Sequence, residues 1–205
     1  MSTKTGSAPH LSARERLLAA ADELFYENGI NTVGIDRVIE RAGVAKASLY
    51  DCFGSKDELV RSYLQARDEV RQARINERLS RYATPAEKIL GIFDLLAELA
   101  AQPGFRGCAF VRAGADANCS DKVKSVCEQS RAFVRGKFTE LCREAGASDP
   151  EQLGKQLVLL YDGASISAHM DRNRDAVGTA RALAAQMLSN ASVKKKTRRK
   201  AAAFT

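Results

Sequence analysis

Five cysteines and two histidines are the side chains best suited to covalent or metal chemistry in this 205-residue chain. Cys108, Cys119, Cys127 and Cys142 are spaced 11, 8 and 15 residues apart, which matches no compact zinc pattern. No Ser-His-Asp set, paired catalytic carboxylates or phosphate-cradling glycine loop can be assembled. No metal, cofactor or catalytic residue is therefore expected. Free cysteine otherwise packs as a small hydrophobe. A thiol-responsive role falls most pointedly on Cys52, although the neighbouring Asp51 works against a lowered thiol pKa.

A second chemistry is concentrated in GIDRVIERAGVAKASLYDCFGSKDEL, residues 34–59. Tyr50 and Lys56 carry donors suited to phosphate oxygens, contacts that fix orientation without reading sequence. Ala45, Ala47 and Ser48 are small enough to let a helix approach base edges closely. Gly34 and Ile35 open a helix whose free N–H groups form a natural phosphate site. Lys46, Ala47, Ser48, Tyr50, Asp51 and Cys52 would then share an outward face. The same spacing also serves a helical corner that merely packs against its neighbours.

These residues need two short helices meeting at a sharp turn, the arrangement that lets one of them enter a major groove. Gly43 supplies the positive φ of the corner. Val38, Ile39, Val44, Leu49 and Phe53 supply apolar knobs against a first helix, which Ser12 and Glu15 cap and Asn28-Gly29 ends. Ser55 caps a long helix running to about Arg81. Beyond it, helical periodicity recurs at roughly 85–101, 106–115, 119–145, 150–171 and 174–191. No strand-like alternation is visible, so the fold expected is all-α.

Apolar residues make up 45% and charged residues 28% of the chain, an ordinary globular balance. The net charge of +7 is misleading, because KKKTRRK at 194–200 holds six positive charges. Residues 1–60 hold seven Lys/Arg against nine Asp/Glu. Bulk charge does not identify the corner as a nucleic-acid binder; only individual placements can. No apolar run approaches the roughly 18 residues of a membrane span. The N-terminus lacks the apolar core of a signal peptide, so a cytoplasmic location with reduced thiols is expected. Four segments follow: a disordered 1–10, a helix-turn-helix domain at 11–56, a helical domain at 57–191 and a disordered basic tail at 192–205. Such a tail can wrap phosphates without reading sequence, and a tail-driven, non-specific DNA binder is one alternative.

ERLLAAADELFYENGINTVGIDRVIERAGVAKASLYDCFGSKDELV resembles the N-terminal domain of the TetR family of bacterial transcriptional regulators. The likeness runs through F-x-x-N-G, A-G-V-x-x-x-x-L-Y-x-x-F and S-K-x-E-L, and continues weakly in RGCAFVRAGAD at 106–116. It implies a homodimer on near-palindromic double-stranded DNA, with Ala47 to Cys52 facing the major groove and Lys46, Tyr50 and Lys56 on the backbone. Asp51 and Cys52 depart from the basic or histidine side chains frequent there, and Gly34 from a frequent capping threonine. The resemblance further implies a cavity for a small apolar or amphipathic effector, released repression, and a dimer seam on the last two helices. Phe93, Leu96, Phe110 and Phe133 are candidate walls, and Arg112, Tyr161 and His169 candidate polar contacts. Gly163, Ala164 and Ser167, with Leu183 and Met187, are candidates for the seam.

Overall fold

A computed structural model describes residues 11–115, 119–172 and 175–202, with side chains described through residue 191. Among these residues there are nine α-helices and no strand. The expectation for residues 1–10 lies outside the described residues.

Helix α1 (Ala13–Asn28) begins as the sequence dictates: Ser12 Oγ accepts from Glu15 N, and the Glu15 carboxylate accepts from Ser12 N at 2.8 Å. Helix α2 (Ile35–Ala42) ends at Gly43, whose φ of 62° is a left-handed conformation that costs glycine least. Helix α3 (Lys46–Phe53) follows, and α4 (Lys56–Leu79) is capped by Ser55. Thr84 and Glu87 form a second capping box for α5 (Pro85–Ala100). Next come α6 (Ala109–Gly114), α7 (Asp121–Glu144), α8 (Pro150–Met170) and α9 (Ala176–Ala202). Helix α6 starts later than its periodicity suggests, because Gly107 takes a φ of 75° and Cys108 is extended. Helix α9 runs on to Ala202, into the segment expected to lack structure; Lys, Arg and Ala are all good helix formers.

Two apolar clusters hold the chain together. The first gathers Leu17, Phe25, Val38, Leu49, Phe53, Leu59 and Tyr63 from α1–α4, and it also takes Ala109, Phe110 and Val123 from α6 and α7. The second gathers Ile75, Ile89, Phe93, Phe138, Leu157, Val177 and Ala184 from α4, α5 and α7–α9. Phe93, Phe138 and Tyr161 form a ring cluster at its centre, with centroids 5.7–6.2 Å apart. Helices α7 and α8 lie close at Gly154, where an added Cβ would lie 2.5 Å from Thr139 Oγ1 and 3.1 Å from Thr139 Cα.

Candidate nucleic-acid interface and the cleft behind it

The corner between α2 and α3 is held from α1. Arg16 Nη1 donates to the Gly43 carbonyl at 2.9 Å, and Arg41 forms a two-pronged pair with Glu23, Nε to Oε2 at 3.0 Å and Nη2 to Oε1 at 2.9 Å. Arg14 covers the Phe53 ring at 5.2 Å. With its apolar side locked by Leu49 and Phe53, α3 turns Lys46, Ala47, Tyr50 and Asp51 to solvent, Tyr50 being 45% exposed. Gly34 is exposed at the N-cap of α2 and accepts no side-chain bond, which leaves the first amides of that helix open. Ile35, Ser48 and Lys56 are half-buried.

Two placements qualify this face. Cys52 is half-buried against the first core, so the outward face is narrower than a count of polar positions suggests. Lys46 is not free: its Nζ lies 3.0 Å from Asp36 Oδ1 in the first turn of α2. The Asp36 hydrogen bond and charge raise the Lys46 pKa.

Behind the corner, α4 is joined to α1 by Arg67. Its Nε donates to Asp22 Oδ1 at 2.5 Å, and its guanidinium lies 3.9 Å from the centre of the Tyr26 ring. The Tyr26 hydroxyl donates to the Gly107 carbonyl at 3.2 Å and accepts from Arg106 N at 3.0 Å. Arg112 of α6 donates to the Tyr26 carbonyl at 2.7 Å. The C-terminal turn of α1 is thus clamped to α6 and the loop before it.

Helix α6 separates two depressions. On the side of α1 is a groove of about 180 Å³, which Arg112 lines together with Phe25, Ile30 and Tyr63. On the other side a cleft of about 230 Å³ opens between α4, α6, α7 and α8, walled by Phe110, Val134 and Val158 with Arg71, Cys108 and Cys127. Burial first, then the neighbouring Cys119 and Cys108, push the Cys127 thiol up to about 11.

Of the residues expected to wall a cavity, Phe110 lines this cleft and Arg112 the opposite groove. Phe93 and Leu96 are instead buried in the second core. Phe133 is half-buried beneath Lys137, and His169 packs beside Gly107. Tyr161 joins the core rings beside the cleft; burial raises its pKa, against the pull of the adjacent Arg71. Aromatic residues at helical spacing look alike in sequence whether they fill a core or line a void. Arg71, Val134 and Val158 were missed, because a single arginine on a long charged helix carries no local signal.

The expected seam residues also divide. Gly163 and Leu183 are exposed, and Ser167 is half-buried. Ala164 is buried in its own chain at 5% exposure, and Met187 is half-buried against the second core. The exposed stripe on α8 is instead Leu159, Gly163, Ile166 and Met170, spaced as one helical face. Among the described residues no helix is long and apolar enough to cross a membrane, and no group of three or more His, Cys, Asp or Glu is placed to hold a metal ion.

A family model for bacterial regulatory proteins of the tetR family matches residues 17–63. A TetR-family transcriptional regulator from Streptomyces coelicolor superposes with a TM-score of 0.84 and 30% identity, covering 88% of this chain and 96% of that one. The transcriptional activator FasR of Mycolicibacterium smegmatis is 44% identical over 57 residues, 28% of this chain and 26% of its own length. The transcriptional repressor NemR of Escherichia coli is 25% identical over 172 residues, 78% of this chain and 85% of its own, and has been solved in a reduced form. The two-helix corner, the long α4 and the helical body behind it therefore have a common source: the chain belongs to the TetR family of DNA-binding transcriptional regulators, which are not enzymes.

Proposed function

We propose that the protein is a cytoplasmic repressor that binds a near-palindromic operator as a homodimer and is released by a small apolar or amphipathic molecule. The observation that carries this is α6, which presents Phe110 to the cleft while Arg112 on its other side grips the Tyr26 carbonyl of α1. A ligand pressing on Phe110 displaces the element that holds the DNA-binding helices. Release then requires that the ligand bind one arrangement of the dimer more tightly than the other. On the DNA, Ala47, Ser48 and Asp51 face the bases, while Lys46, Tyr50, Lys56 and the amides after Gly34 take phosphates. Asp51 is an acceptor, which suits a cytosine amino group. The dimer buries Leu159, Gly163, Ile166 and Met170 of α8 with Leu183 of α9.

The test is fluorescence anisotropy on DNA from upstream of the protein's own gene against a shuffled control, at two salt concentrations. It uses the full chain, a chain lacking residues 192–205 and Tyr50→Phe. A sequence preference that survives loss of the tail and weakens in Tyr50→Phe supports the reading. Binding that depends on the tail and shows no preference refutes it in favour of charge-driven association.

A thiol-responsive regulator is a second reading, favoured by Cys108 and Cys127 on the walls of one cleft. Against it, Cys127 at about 11 is protonated at neutral pH, whereas the thiolate is the reactive form. Slow alkylation of the native protein by iodoacetamide, with DNA binding unchanged, would dismiss it.

A further inference from the structure

We propose that the cleft behind α6 is a receptor for the carboxylate of a small amphipathic acid, anchored by Arg71 with its carbon skeleton against Phe110, Val134 and Val158. The assignment rests on the reading of this cleft as the effector site, and it adds the chemical class of the ligand.

Arg71 is half-buried midway along α4. Its Nη1 donates to Ser130 Oγ at 3.1 Å, and its guanidinium lies 5.3 Å from the centre of the Phe110 ring. Ser130 is fully buried and its hydroxyl donates to Asp68 Oδ1 at 2.5 Å, while Asp68 Oδ2 accepts from Gln72 at 2.6 Å. Asp68 is thereby occupied orienting Ser130, which in turn orients Arg71. Among the described residues no carboxylate forms an ion pair with Arg71. A guanidinium has five donors; Ser130 takes one and the Tyr161 hydroxyl another, and the rest remain for a ligand. A planar cation fixed beside apolar walls with donors to spare matches a carboxylate in two-pronged geometry.

The other charges at the cleft do not substitute for that anion. Asp162 is held by Arg131 at 2.6 Å, and Glu128 is exposed at the rim. The Tyr161 hydroxyl, whose pKa burial raises, accepts from Arg71 and keeps its proton, so it is no counter-anion. The cleft of about 230 Å³ suits a small ligand.

The test is calorimetric titration of the full chain with hexanoate and benzoate, compared with hexanamide and benzamide, which keep the shape and lose the charge. At least one acid should bind about tenfold or more tighter than its amide, about 1.4 kcal/mol. Arg71→Gln should erase that preference, while Arg74→Gln, exposed on the same helix, should keep it. Equal binding of acid and amide, no binding of either acid, or an unchanged preference in folded Arg71→Gln would each overturn the proposal. If Arg71→Gln does not fold, the acid-to-amide ratio of the native chain decides. Anisotropy with and without the acid separates the two readings. Binding at Arg71 with operator affinity unchanged overturns release and supports the receptor. Operator-specific binding in a chain indifferent to all four compounds overturns the receptor and leaves the regulator standing.

Discussion

Asp36→Asn tests the DNA-binding face most directly. In the free protein Asp36 Oδ1 holds Lys46 Nζ at 3.0 Å, and the two side chains are 79% and 59% exposed. The pair joins the first turn of α2 to the first turn of α3, the two places expected to meet phosphate. Asparagine keeps the shape, frees Lys46 and removes a negative charge beside the open amides after Gly34. If Lys46 then gains a phosphate in each half-site, the slope of log affinity against log salt steepens by about 0.9 per protomer, or about 1.8 for a dimer. Across a fourfold rise in salt the variant should lose about twelvefold more affinity than the parent. Anisotropy on one operator fragment at several salt concentrations gives both slopes. Asp36→Asn combined with Lys46→Ala should return the slope to the parental value or below, which assigns the change to Lys46. Parallel lines for parent and Asp36→Asn would refute the reasoning, and so would a steeper slope that survives removal of Lys46.

Three further outcomes are expected. Tyr26→Phe removes one hydroxyl that serves both Gly107 and Arg106, so chemical denaturation should show a loss of about 1 kcal/mol, with a larger proportional loss in the response of DNA binding to ligand. Gly154→Ala drives a methyl group toward the Thr139 backbone and should cost about 1–3 kcal/mol, read as a lower thermal midpoint, with no gain from added helix propensity. Lys122 and then Arg61 hold the Glu58 carboxyl below its ordinary value of 4.5. Its contribution is therefore complete above that pH and lost as pH falls through the lower folded value. Glu58→Gln should flatten this acid limb in urea midpoints measured against pH and leave the neutral and alkaline range parallel to the parent.

The parts of the fold governed by short sequence distances are those the sequence discloses. Ser12 and Glu15 lie one turn apart and announce the start of α1, Gly43 marks the corner, and Ser55 starts α4. The outward placement of Ala47, Tyr50 and Asp51 follows from the apolar spacing of Leu49 and Phe53. What sequence does not disclose is pairing across distance. Arg67 with Asp22 and Arg112 with Tyr26 leave no periodic trace, and they position the DNA-binding helices. Ala164 and Gly163 are adjacent small residues on α8, yet one faces its own core and the other solvent. That difference depends on where the neighbouring helices lie, which α8 alone does not encode. Phe93 and Phe110 show the same limit for the cleft: both are buried aromatics, and only the second borders open space.

The first core draws Ala109, Phe110 and Val123 from the body of the molecule into the DNA-binding head. The head therefore has no seam along which it can be cut free, and a fragment ending after α3 would lack part of its own interior. Genetic screens are affected in the same way. Variants that abolish operator binding should map to α6 and the first turns of α7 as readily as to α3. Some substitutions that never touch DNA would then be scored as recognition defects, and some that never touch a ligand as constitutive release.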